Sequence, residues 1–273
     1  YFANIDVLFS LWLFDLLFIL RSGLLNRLGV NASSLKHASG DFAWMPLGAF
    51  LILVAWSLWT ARFHLAAVWR NALGKPSELD GADELMQYRT AFIGLAVSVV
   101  FATFWLWRAG MGFGVACLFI VILLTLYIGV SRIVSEVGLV FVSMPVGPQS
   151  FVMSSVGSQN LSSSLTTLAF SNAINSYGKA LFMPAVTQGA KIADACPKGD
   201  RRRVLLAMVL AFVCGTAASI VYTLYLGYTH GAYNFNDFPF TRYSRSGFSA
   251  VLSQMVNPAP PNTFRLTLFG AGA

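Results

Sequence analysis

Charge is what this sequence has least of. Only 11% of its 273 residues are Asp, Glu, Lys or Arg, against about 25% in an average soluble domain. That excludes an ordinary water-soluble globule, because such long uncharged runs would leave it no polar surface. Histidine is scarce as well, with three in the chain. They are scattered, which excludes a haem pocket or a metal cluster built on paired His–Cys spacing. The three cysteines, Cys117, Cys196 and Cys214, make no CxxC and no plausible disulfide set, so they read as structural. No P-loop, GxSxG or HExxH is present. Ser154 and Ser155 have no partner base visible in sequence, so an intramembrane hydrolase ranks last. No enzyme activity, cofactor or metal is expected. Nothing near Tyr1 reads as a signal peptide, since a basic leader and a small-residue cleavage site are missing.

What is abundant is apolar sequence, 56% of the chain. Several runs approach the length of about 20 residues that crosses a bilayer. Spans are expected near residues 5–20, 44–61, 90–107, 113–130 and 204–228. The fold class is therefore all-α, a polytopic transmembrane helical bundle with one broken or re-entrant segment. Residues 1–273 read as a single membrane domain. The chain opens inside an apolar segment, and Leu266 to Ala273 read as the start of another span, so a fragment of a longer protein is expected.

The net charge of +7 points to basic loops facing anionic lipid rather than to nucleic acid. The densest basic group, Lys191, Lys198, Arg201, Arg202 and Arg203, is placed in the cytoplasm of a cell with the protein in its inner membrane. Counting back, the Asn71–Tyr88 loop falls on the same side, provided the region 133–190 enters and leaves on one side or crosses an even number of times. Trp44, Trp56, Trp59 and Trp69 read as interfacial anchors. Lys179 to Ala195 reads as an amphipathic helix lying along the membrane surface.

The stretch from Ser131 to Ser164, SRIVSEVGLVFVSMPVGPQSFVMSSVGSQNLSSS, stands apart. Pro and Gly interrupt helices, and broken backbone at membrane depth is tolerated only where protein or a water-filled cavity covers it. The broken segment is set at 131–176, with residues 143–160 non-helical. Arg132 and Glu136 lie at i, i+4, on one helix face. Two readings stand for them: a structural salt bridge at the end of a span, or a charged gate facing the bundle interior. Gln149, Ser158, Gln159 and Asn160 complete the candidate substrate-binding set. Ser158 or Asn160 is the expected N-cap of a following helix whose N-terminus favours an anionic group. Asp15, inside the first span, should face protein or water, and it joins Glu136 as a proton-coupling candidate.

SRIVSEVG, the PVGPQ segment and the SQNLSSSLTTLAF segment resemble an uncharacterised family of prokaryotic multi-spanning membrane proteins, catalogued only as a domain of unknown function. PLGAFLILVAWSLWTARFHLAAVW and KIADACPKGDRRRVLLAMVLA resemble it too, so the likeness covers most of the chain. More weakly, the Arg–Glu–Gly stretch followed by a Pro/Gly break is similar to parts of the oligopeptide transporter superfamily. That likeness implies a proton-coupled carrier of small solutes or peptides. The expected function is thus a transporter-like membrane protein. The alternative is a non-transporting subunit or scaffold that packs against partner membrane proteins.

Overall fold

The computed structural model describes residues 5–27, 43–74, 85–138, 142, 144, 146–171, 182–196, 201–234 and 242–273. Among them are eleven α-helices and no strand, so the chain is an all-α bundle. The helices are α1 (Ile5–Arg27), α2 (Trp44–Thr60), α3 (Arg62–Ala72), α4 (Tyr88–Arg108), α5 (Phe113–Val137) and α6 (Pro148–Val156). They continue with α7 (Leu165–Ser171), α8 (Phe182–Asp194), α9 (Arg201–Leu226), α10 (Arg242–Val256) and α11 (Thr263–Gly272). Among the described residues three stretches are long and apolar enough to cross a membrane: α4, α5, and α9 with its continuation to Gly231. The α2–α3 pair passes the same test but bends by 62° at its break. This is a membrane protein by the length and apolar character of its helices.

The hub of the bundle is α5. It packs against α2, α4, α6 and α8. Ala116, Phe119, Ile120, Leu123, Leu126, Val130 and Val134 are buried along it, at the spacing that makes one stripe of a helix. Glycine sets its approach to α2. A Cβ on Gly129 would lie 2.4 Å from the Phe50 ring and 2.5 Å from Val54, so only a bare Cα lets the two helices come this close. A stronger case is the crossing of α2 and α11. A Cβ on Gly48 would meet the Phe269 carbonyl oxygen at 2.1 Å, and one on Gly272 would meet the Met45 carbonyl oxygen at 2.0 Å.

Several expectations change here. The fourth span does not stop at Val130: α5 runs to Val137, where Gly138 takes φ +72° and ends it. No Pro or Gly interrupts residues 131–137, so the helix has no reason to break earlier. Residues 148–156 are helical, not irregular. Pro148 sits in the first turn of α6, where its missing N–H costs nothing and its fixed φ suits the helix. Trp44 is no interfacial anchor: it is 2% exposed and stacks on Phe151 at 5.7 Å. Trp56, Trp59 and Trp69 are exposed. The amphipathic helix exists as α8, but it packs against α5 and α9, with Phe182 and Ile192 left exposed. Residues 28–42, 75–84 and 172–181, which carry the first polar loop, the acidic loop and the end of the broken segment as read from sequence, lie outside the described residues.

Candidate functional site

After Gly138 the chain doubles back along α5. Val142 and Met144 pack with Val130 and Val134, and Val146 shares a cluster with Leu126. Val152 and Met153 then join the cluster of Phe119, Ile120 and Leu123. Finally the Ser164 hydroxyl accepts from the Gly112 N–H at 3.0 Å, and the Thr167 hydroxyl donates to the Ala109 carbonyl at 2.8 Å. The return therefore runs the length of α5 and reaches its opposite end. The return is broken into short helices, α6 and α7, with a 3₁₀ turn between them.

The break itself lies at Gly157, with φ +83° and ψ 139°, a conformation that L side chains rarely adopt. A 3₁₀ turn, Ser158–Leu161, follows it. Over this joint lies the segment Asn257–Asn262. The Ala259 N–H donates to the Ser158 hydroxyl at 2.8 Å, and that hydroxyl donates back to the Ala259 carbonyl at 3.3 Å. The Gln159 N–H reaches the same carbonyl at 3.3 Å, and the Asn262 N–H donates to the Ser154 carbonyl at 2.9 Å. The end of α6 and the 3₁₀ turn thus have their exposed backbone groups met by a strap from far along the chain, as broken backbone within a bundle requires.

Asn262 also caps α11, its side chain accepting from the Arg265 N–H at 3.1 Å. One turn in, the Arg265 guanidinium donates to the Ser154 hydroxyl at 3.2 Å and sits 6.0 Å from the centre of the Trp44 ring. Half-buried, Arg265 brings positive charge next to the break. The sequence does not single it out, because it ends a segment rich in aromatic residues, Asn and Pro. The available signal was the order Pro-Pro-Asn before a helical pattern, a stop followed by a cap.

The expected site residues separate into two groups. Gln149, Ser158, Gln159 and Asn160 belong to α6 and the 3₁₀ turn. Gln149 and Ser158 are buried, while Gln159 and Asn160 are exposed. Arg132 and Glu136 lie toward the other end of α5. Neither Ser158 nor Asn160 caps a helix as expected. Ser158 is held by the strap, and the Asn160 amide donates back to the Val156 carbonyl at 3.0 Å. With α7 beginning only at Leu165 and seven residues long, no helix N-terminus stands at Asn160 to receive an anion.

Arg132 and Glu136 do meet, Nε to Oε1 at 2.7 Å, but their side chains are 41% and 60% exposed. Of the two readings, that exposure suits a salt bridge at the end of a span better than a gate facing the bundle interior. Beside it, the Lys191 ammonium donates to the Ser135 carbonyl, closing one of the free carbonyls in the last turn of α5. Exposed pairs contribute about 0.2–1 kcal/mol. We therefore expect Arg132→Ala to cost less than about 1 kcal/mol in a thermal melt, and the swapped protein (Arg132→Glu with Glu136→Arg) to fold normally. A loss of several kcal/mol in either would show the pair to be buried by something else.

Asp15 is exposed on α1, which packs only marginally against the other described helices. Among the described residues no three His, Cys, Asp or Glu side chains come together. A concavity of about 440 Å³ opens on the outer face of α4, between Ala96, Val97, Val100, Phe101 and Phe104. With no polar group it suits lipid chains, not a polar solute, and the candidate site remains the joint at Gly157.

A family model described as a family of unknown function (DUF6785) matches residues 1–273. No curated protein and no solved structure matches the chain.

Proposed function

The chain belongs to DUF6785, a family of unknown function, and within it we propose a transporter-like membrane protein that moves a small polar solute or peptide past the joint at Gly157. The observation that carries this reading is the broken return along α5, which we read as a discontinuous crossing. Carriers place discontinuous helices and unwound backbone where a solute binds between spans. Here α6 and the 3₁₀ turn meet at one glycine, under a strap that also brings in Arg265. Gln149, Ser154 and Ser158 supply buried polar groups on one side of that joint, and Gln159 and Asn160 supply exposed ones. Arg265 supplies the charge that would select a carboxylate or another anionic group.

Of the two carboxylates considered for proton coupling, Glu136 fits the reading better, since it ends the helix along which the broken crossing returns. On this reading residues 1–273 act as one membrane domain, in the inner membrane of a prokaryotic cell, with the basic end of the bundle in the cytoplasm.

A non-transporting subunit is the second reading, and a specific observation favours it. The hydroxyls of Ser154, Ser158, Ser164 and Thr167 all make hydrogen bonds inside the fold. Uptake by the reconstituted full-length protein separates the two. In liposomes, a carrier will accumulate solute from a mixed amino-acid and peptide pool. Arg265→Gln will reduce that uptake at least tenfold while the protein remains inserted and folded. No uptake of any pool component by well-folded protein would leave the subunit reading.

A further inference from the structure

We propose that the end of the bundle where α5 stops and α9 starts is a discrete binding site for an anionic phospholipid headgroup. Three elements bring charge there. Arg132 lies in the last turns of α5, Lys191 lies on α8 and is bonded to the Ser135 carbonyl of α5, and Arg201, Arg202 and Arg203 open α9. Asp194 of α8 lies 3.6 Å from Arg201, which ties the start of α9 to the same end of the bundle. Five basic residues thus face two acidic ones, Glu136 and Asp194. Both acids already have a basic partner, Arg132 and Arg201.

The position selects the partner. Both α5 and α9 are long enough and apolar enough to cross a bilayer, so the ends they share at this side stand at headgroup depth. Arg202 and Arg203 are exposed there. The contacts between α5 and α8 and between α8 and α9 hold together the elements that carry the cations, with Gly189 letting Met208 approach: a Cβ at that glycine would lie 2.4 Å from the Met208 sulfur. A general attraction of basic loops to an anionic leaflet needs no such fixed arrangement. A site built from three packed elements binds a lipid in a saturable way.

The test uses the full chain in detergent, with phosphatidylglycerol, phosphatidylcholine or sodium phosphate added to it. Phosphatidylglycerol will raise the melting temperature along a saturable curve, and native mass spectrometry will retain about one lipid per chain. Phosphatidylcholine will do neither. Arg202→Gln with Arg203→Gln will weaken the apparent affinity about 25-fold, about fivefold for each charge lost near the surface. Raising the salt will weaken it further. Three results would overturn the proposal: equal effects of the two lipids, a linear and unsaturable response, or a double variant that binds like the parent. An equal effect of sodium phosphate would also overturn it, showing an anion site that takes no lipid. None of these outcomes depends on whether the protein transports anything.

Discussion

Gly48→Ala will loosen the crossing of α2 and α11 and markedly lower the melting temperature of the detergent-solubilised protein. The added Cβ would sit 2.1 Å from the Phe269 carbonyl oxygen and 2.8 Å from the Ala273 nitrogen. Both are backbone atoms, so no side chain can rotate away and α11 must move. Overpacking of this kind costs about 1–3 kcal/mol, occasionally more. Gly48→Leu will exceed that range. Movement of α11 also pulls Phe269 from Phe151, its edge-on neighbour at 5.7 Å, so the fluorescence of Trp44, stacked on the same ring, will change with it. Gly94→Ala on α4 is the control. Nothing lies within 4 Å of its Cβ position, and an alanine in a helix interior gains about 0.5–1 kcal/mol over glycine. If Gly48→Ala melts with Gly94→Ala, the crossing is not as close as described.

Gly157→Ala will be as damaging, for two separate reasons. Its φ of +83° lies where an L side chain is strained, at about 1–3 kcal/mol. Its Cβ would also lie 2.7 Å from both the Cδ and the nitrogen of Pro261, adding about 1–3 kcal/mol of overpacking. Part of the second term, the contact with Cδ, can be removed alone, while the Pro261 nitrogen and the Pro260 carbonyl carbon at 3.0 Å stay. Pro261→Gly takes away the ring, so the double variant will recover part of the loss relative to Gly157→Ala. Thermal melts of the single and double variants form a cycle that measures the coupling. A coupling near zero would mean that the Pro261 ring does not rest on the joint.

The class of the fold was legible because it depends on composition and run length. Uncharged stretches such as Phe113–Val130 admit few alternatives to a membrane helix. The presence of a break was legible from Gly138, Pro145, Gly147 and Pro148. Its form was not. Pro148 reads as a helix breaker until its place in the first turn of α6 is known, and only the fold decides that. Pairing of Arg132 with Glu136 followed from i, i+4 spacing. Exposure did not follow, because spacing fixes which residues share a face and leaves open which way the face points. Trp44 was misjudged for the same reason: an aromatic near a span end suits an interface as well as a core. The strap was the least legible part. Ser158 and Ala259 are 101 residues apart, and no local pattern in either segment names the other.

That distance has a consequence for how the protein is made. A ribosome adds about 5–20 residues per second, so Ser158 leaves it roughly 5–20 s before Ala259 exists. Gly48 waits longer still for Phe269 and Gly272. During that interval the joint and the glycine face of α2 are already synthesised, and their eventual partners are not. Non-local contacts of this kind form late and slowly. The unfinished chain is therefore a substrate for membrane proteases and for insertion chaperones, and nascent chains stalled before residue 257 should be cleared faster than chains stalled after residue 273.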